Sequence, residues 1–235
     1  MNEAAIPEEC GLDTLQRKII ECRLCPRLVN HREAVARKKR KAYRDWDYWG
    51  RPVPSFGDPK ARLLLIGLAP GAHGANRTGR MFTGDGSGDF LYAALYRAGF
   101  CNQPQSKHRQ DGLQLQDCYI TAAVRCVPPQ NKPTPEERNN CLPYLVRELQ
   151  LLREVELIIT LGQFAWSTYF RAREQLKLPV PRPRPVFGHN VLHSFEDVQL
   201  IGSYHPSLQN TQTGVLTPVM FDEVFARARE LLSPT

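Results

Sequence analysis

Arg62-Leu63-Leu64-Leu65-Ile66-Gly67-Leu68 is the stretch on which the fold turns. It is apolar at every position from Leu63 to Ile66, and it opens into Ala69-Pro70-Gly71. A strand with one wet face alternates apolar and polar residues. This stretch does not alternate, so it is expected to be a strand covered on both faces, as in parallel sheets. Residues 119–124, 157–161 and 198–202 read the same way. Helical patterns fall between and after these strands, at 90–98, 163–175 and 218–232.

Thr134-Pro135-Glu136-Glu137 is a capping box with Pro at the first helical position. It is expected to start a helix that runs to about residue 153, with a kink or break near Cys141 because Pro143 lies inside it. A Pro/Arg connector at 179–185 leads to a short hairpin expected at 186–192. Strand–helix alternation implies an α/β fold: three α/β/α layers around a central, mostly parallel four-stranded sheet. No repeat or boundary divides the chain. Residues 1–235 are expected to form a single domain, with 1–55 as a basic N-terminal extension packed on it. In such folds the site lies outside the carboxyl ends of the strands. The loops there are 69–88, 125–134 and 204–214.

The 42% hydrophobic share is ample for a core, and no apolar run reaches the 18 or so residues of a membrane span. Residues 1–9 are acidic and lack the apolar stretch of a secretory leader, so a cytoplasmic location is the expectation. The net charge of +7 is concentrated between His31 and Arg44, which include Arg37, Lys38, Lys39, Arg40 and Lys41. Tyr43, Trp46, Tyr48 and Trp49 follow or interleave. The pattern suits a phosphate backbone, or an ordinary solvated helix with its aromatics folded back onto the core.

Seven cysteines, an odd number, speak against a disulfide framework in a reducing compartment. Cys22 and Cys25 form a Cys-x-x-Cys pair, whereas Cys126 and Cys141 are separated by 14 residues. Structural zinc favours two close pairs. A 4Fe-4S cluster reaches more widely spaced thiolates, and Pro26 and Pro128-Pro129 sit beside these cysteines as prolines do in ferredoxin-like runs. The spacing favours the cluster and leaves zinc as the alternative. Cys10, Cys101 and Cys118 have no partner pattern and read as structural.

Gly67-Leu68-Ala69-Pro70-Gly71 and His205-Pro206-Ser207 resemble the two signature motifs of the uracil-DNA glycosylase superfamily. Gly67 to Gly74, residues 120–126, and Asn131-Lys132-Pro133-Thr134-Pro135 resemble family 5, the iron–sulfur "b" type. The resemblance spans Cys22 to the last helix. It implies a DNA repair enzyme that flips a deaminated base from single- or double-stranded DNA, hydrolyses its N-glycosidic bond and leaves an abasic site. It also implies a monomer associated with the nucleoid and a 4Fe-4S cluster on Cys22, Cys25, Cys126 and Cys141. Two departures from the wider superfamily are shared with family 5. There is no carboxylate in residues 69–73, and Ala122 stands where many members carry an Asn that reads uracil. Base tolerance reaching hypoxanthine, xanthine or hydroxymethyluracil is therefore expected.

Asp85 is the carboxylate nearest the glycine loop and the candidate to handle water or the cationic sugar; the alternative is a helix N-cap. Asn131 is the candidate for base or water, the alternative being a turn residue. His205 is the candidate donor to the leaving base. Gly71, Ala72, His73 and Gly74 are expected around the base, with Phe82 stacked on it. Leu208 and Gln209 are both candidates for the wedge that fills the vacated stack. The competing classes are a non-enzymatic iron–sulfur or zinc nucleic-acid-binding protein, which needs neither His205 nor Asp85, and an electron-transfer protein.

Overall fold

The structure is a computed structural model that describes residues 11–233; Cys10 and the acidic residues 1–9 lie outside that range. Helices α1 (Leu12–Glu21) and α2 (Pro26–Lys38) lead into a two-residue strand, β1 (Phe56–Gly57). Then come β2 (Leu63–Gly67), the short α3 (Ala75–Thr78), α4 (Gly86–Arg97) and β3 (Cys118–Ala122). The chain continues through α5 (Pro135–Leu151), β4 (Leu157–Leu161) and α6 (Gln163–Gln175). It ends with β5 (Val191–Ser194), β6 (Gln199–Ser203), α7 (Leu208–Gln212) and α8 (Pro218–Leu232).

The strand order is β1-β3-β2-β4-β6-β5. The four strands read from sequence form the parallel centre, β3-β2-β4-β6. The sheet has six strands rather than four, because β1 and β5 add antiparallel edges. Two-residue β1 is too short to show a period. The expected hairpin at 186–192 is instead a single edge strand shifted to 191–194, whose partner is β6. These edges occupy hydrogen-bonding groups that the parallel centre would leave open.

Side chains alternate between two cores. Leu63, Leu65, Ile120, Ile159 and Ile201 face α4 and α8, where Leu91, Leu95, Phe221 and Phe225 are buried. Leu64, Ile66, Ile158 and Leu200 face α5 and α6, with Leu145, Trp166 and Phe170. Helix α5 runs unbroken through Pro143, contrary to the expected break. Leu142 and Leu145 are buried against the sheet and Tyr144 against α1, so packing on both sides outweighs the local cost of the proline.

Residues 11–55 are held to the sheet by a polar network. Gln16 donates to Glu148 Oε1 at 3.0 Å and to the Tyr119 hydroxyl at 3.3 Å. Ser55 Oγ donates to Glu148 Oε1 at 2.5 Å, and Thr121 Oγ1 donates to Glu148 Oε2 at 2.6 Å. Arg125 completes it with a fully buried ion pair to Glu148. At the carboxyl edge the chain leaves β2 first for β3 on one side and then for β4 on the other. That reversal opens the crevice in which ligands of such sheets bind.

Candidate active site

The loop after β2 folds over the end of its own strand. A β-carbon on Gly67 would meet the Phe82 ring at 2.9 Å, so the ring lies against the backbone at the mouth of the crevice. Phe82 takes a left-handed backbone (φ 51°), and the following turn is so tight that a β-carbon on Gly88 would collide with the Phe82 carbonyl at 1.8 Å. The Tyr92 hydroxyl fixes the same turn from below by donating to the Met81 carbonyl at 2.8 Å.

Asp85 is the N-cap of α4 and also borders the glycine loop. Its Oδ1 accepts the Gly88 N–H at 3.1 Å and caps α4. Its Oδ2 faces the glycine loop, where β-carbons on Gly71 and Gly74 would come within 2.6 and 1.8 Å of it. The two glycines are what make room for the carboxylate. Among the described residues, the N–H groups of Ala72, His73 and Gly74 have no backbone carbonyl as partner, so donors line the same turn. Desolvation raises the Asp85 pKa, against the opposing pull of the Gly88 N–H.

The loop after β6 brings His205 to this group. The ring centroids of His205 and Phe82 are 5.8 Å apart at 33°. Asn210 Nδ2 donates to the His205 carbonyl at 2.8 Å, and Ser207 caps α7 through the Asn210 N–H. Desolvation lowers the His205 pKa to about 4, so the ring is neutral at working pH. Both Asp85 and His205 keep an edge open to solvent. Leu208, half exposed, lies over the start of α4; a β-carbon on Gly86 would be 2.6 Å from its Cδ2. Gln209 beside it is exposed. Asn131 is exposed and left-handed (φ 57°) in the turn after Cys126. Among the described residues no hydrogen bond, ring contact or ion pair joins it to Asp85 or His205.

Sequence reasoning missed the residues that hold the glycine loop. Arg77, buried, is clamped between Tyr43 (3.9 Å) and Trp46 (4.0 Å), and it donates to the carbonyls of His73 (2.6 Å) and Gly84 (2.7 Å). Tyr48 Oη lies 3.0 Å from His73 Nδ1. The aromatic run therefore braces the loop. Its proximity to a cationic segment was visible in the sequence; its partner Arg77 was not. Arg37, Lys38, Arg40 and Lys41 are exposed, whereas Lys39 donates to the Arg44 carbonyl at 3.1 Å.

The four spaced cysteines line one chamber together with Arg32, Arg125, Asn140 and Tyr144. Among the described residues no group of three or more His, Cys, Asp and Glu closes tightly enough around one point for a metal ion. Arg32 is buried, forms no ion pair among the described residues, and donates to Cys126 Sγ at 2.9 Å and to the Cys22 carbonyl. Asn140 Nδ2 donates to Cys25 Sγ at 3.4 Å. A buried guanidinium needs a negative partner. Burial pushes the Cys126 thiol up to about 11, against the opposing pull of Arg32. The bidentate pair of Arg27 with Glu137 (2.8 and 2.9 Å) ties α2 to α5 beside the chamber.

Residues 54–229, the sheet and every loop at its carboxyl edge, match the family model of the uracil DNA glycosylase superfamily. The chain belongs to that superfamily. It is 52% identical to the type-5 uracil-DNA glycosylase of Mycobacterium tuberculosis over 94% of this chain and 81% of that protein. The type-5 enzyme of Thermus thermophilus is 51% identical over 89% of this chain and 93% of its own length. A type-4 uracil-DNA glycosylase from Archaeoglobus fulgidus is 30% identical over 84% and 82% of the two chains. Ala69 to His73 carry no carboxylate, and Asp85 brings one to the same turn from the N-cap of α4.

Proposed function

We propose that this protein is a DNA repair glycosylase that hydrolyses the N-glycosidic bond of uracil, and of other deaminated bases, in DNA. One observation carries the reading: Asp85 Oδ2, the donors at Ala72 to Gly74, Phe82 and His205 converge at the carboxyl edge of the sheet. The relatives' names support a uracil substrate.

Cleavage leaves negative charge on the departing base and positive charge on the sugar. Donors arranged in advance around the base oxygen lower that barrier. Neutral His205 supplies one, and the loop N–H groups supply others. Phe82 stacks on the flipped base. The Asp85 carboxylate, made more basic by desolvation, takes a proton from water or stabilises the sugar cation. Asn131 serves base or water from the neighbouring loop. Leu208 fills the vacated stack, supported by its exposure and its seat over Gly86. Arg37, Lys38, Arg40 and Lys41 hold backbone phosphates.

Cys22, Cys25, Cys126 and Cys141 would hold a 4Fe-4S cluster. The four cysteines lining one cavity, with buried Arg32 donating to Cys126 Sγ, support a negatively charged group there. The cluster supplies a cross-link and negative charge, and hydrolysis asks no electron of it. The whole chain acts as one domain and as a monomer, in the cytoplasm with the nucleoid; among the described residues no helix is long and apolar enough to cross a membrane.

The test is base release from oligonucleotides carrying uracil, hypoxanthine, xanthine or hydroxymethyluracil, read by alkaline strand cleavage. The parent is assayed with its metal intact beside Asp85→Ala, Asn131→Ala and His205→Ala. Release by the parent and loss in the variants is expected. No cleavage of any substrate by the parent would remove the enzyme, and parent-like rates in all three variants would remove the site.

A further inference from the structure

A second basic element stands beside the catalytic loop, built from segments distant in sequence. The loop Ser106-Lys107-His108-Arg109 docks on the turn that precedes Asp85: the Gly84 N–H donates to the Ser106 carbonyl at 2.8 Å. It is held rigid from within. Asp111 accepts the N–H groups of Lys107 (2.7 Å), His108 (3.3 Å) and Leu113 (3.1 Å) and pairs with the buried Arg80 at 2.8 Å. Arg80 also donates to the Arg109 carbonyl at 3.3 Å. Lys107, His108 and Arg109 are exposed on this braced loop.

Trp49 joins it from the other side. Its backbone N–H donates to the Arg77 carbonyl at 2.9 Å, its indole N–H donates to the Pro52 carbonyl at 3.0 Å, and a β-carbon on Gly79 would meet its ring at 2.8 Å, so the indole is seated on the catalytic loop. The guanidinium of Arg109 lies 4.6 Å from the Trp49 ring centre and that of Arg51 lies 5.7 Å from it. Both arginines are exposed, and among the described residues neither forms an ion pair. Two like charges drawn to one indole repel each other unless an anion lies between or across them. Planar guanidinium groups on an aromatic platform suit the oxygens of phosphates.

We propose that Arg51 and Arg109, presented by Trp49 with Lys107 alongside, form a phosphate clamp that grips the DNA backbone next to the nucleotide in the active site. The clamp rests on the reading of the protein as a DNA glycosylase. It adds a contact formed by residues 49–51 and 106–109 to the basic segment at 37–41. It explains why a loop between α4 and β3, remote from the chemistry in sequence, is braced so closely against Gly84.

The test is equilibrium binding of the full chain, with its metal intact, to a duplex containing one non-cleavable uracil nucleotide, across a series of salt concentrations. The variants are Arg51→Ala/Arg109→Ala and a charge-matched control, Lys60→Ala/Arg153→Ala. The control residues are exposed and precede β2 and β4, at the opposite edge of the sheet. Each lost phosphate contact removes about 0.9 from the slope of log affinity against log salt. The clamp variant is expected to lose between about 0.9 and 1.8 in slope and at least about tenfold in affinity, whereas the control keeps the parent's slope and affinity. A slope and affinity equal to those of the control would overturn the clamp. Parent protein that binds DNA but releases no base would sink the glycosylase reading and leave the clamp standing.

Discussion

Gly74 lies so close to Asp85 that a β-carbon at its position would sit 1.8 Å from Asp85 Oδ2. The missing side chain at this position makes the space that the carboxylate occupies. Gly74→Ala is therefore expected to push the carboxylate out of place and cut uracil release about 100-fold or more. Loss of fold should be small, on the order of 1–3 kcal/mol for local overpacking. Single-turnover rates and urea unfolding check the two halves; a variant with parental activity would detach Asp85 Oδ2 from the chemistry.

The pH dependence follows from two opposite shifts. The raised Asp85 pKa means that the folded state holds this proton more tightly than the unfolded chain does, so ionising it costs stability above that value. Asp85→Asn should be more stable than the parent at neutral pH while losing activity. The acid limb of the parent's rate profile should lie above the ordinary carboxylate range.

His205 works in the other direction. Its folded pKa of about 4 lies below the usual 6.5, so stability present above pH 6.5 is lost as pH falls toward 4. His205→Gln should lose less stability than the parent across that window. Parallel urea midpoints for the two proteins between pH 7 and 4 would contradict the shift.

Leu208 and Gln209 can be told apart by substrate form. A wedge matters when a stack must be held open, so Leu208→Ala should lower release from duplex about tenfold or more and leave single-stranded DNA nearly unaffected. Gln209→Ala should change neither. The reverse pattern would give the wedge to Gln209.

Arg125 and Glu148 are a buried pair on which Ser55, Thr121 and Gln16 also converge. Removing one member leaves the other charge uncompensated, at a cost of about 3–5 kcal/mol. Glu148→Ala is expected to lose that much in urea unfolding. Arg125→Met/Glu148→Leu should lose clearly less, and additive losses would rule out the pair as the cause.

Arg32 offers a test of the cysteine chamber. With a negative cluster bound, the buried guanidinium gains a charged partner at Cys126 Sγ; without it, it faces a neutral thiol there. Arg32→Met should therefore lower the Tm of protein carrying iron and raise the Tm of protein stripped by a chelator. Iron content and broad visible absorbance report the loading, and Cys126→Ser should lose both. A shift of the same sign in both states would argue against charge matching.

The four central strands were legible because each is buried on both faces, which writes itself as an uninterrupted apolar run. The edges were not: β1 has two residues, and β5 is only partly covered. The capping box at Thr134 formed as read, since its bonds span three residues. Pro143 misled because a local penalty was weighed without the core that α5 fills. At the site, Asp85 was legible as a cap or a pocket residue but not as both, because a sequence does not say where each carboxylate oxygen points.

The sequence by itself determined which segments are buried strands, which loops stand at their carboxyl ends, and which four cysteines stand out by their spacing, and these four line one cavity. These follow from periodicity and spacing, properties of neighbours along the chain. Tertiary structure alone decided that Gly71 and Gly74 make room for Asp85, that Tyr43 and Trp46 clamp Arg77, and that Arg109 arrives beside Arg51 on Trp49. Each of those contacts joins residues that only the packing of the sheet and its loops brings within reach, and no local pattern encodes a partner chosen by the shape of the whole.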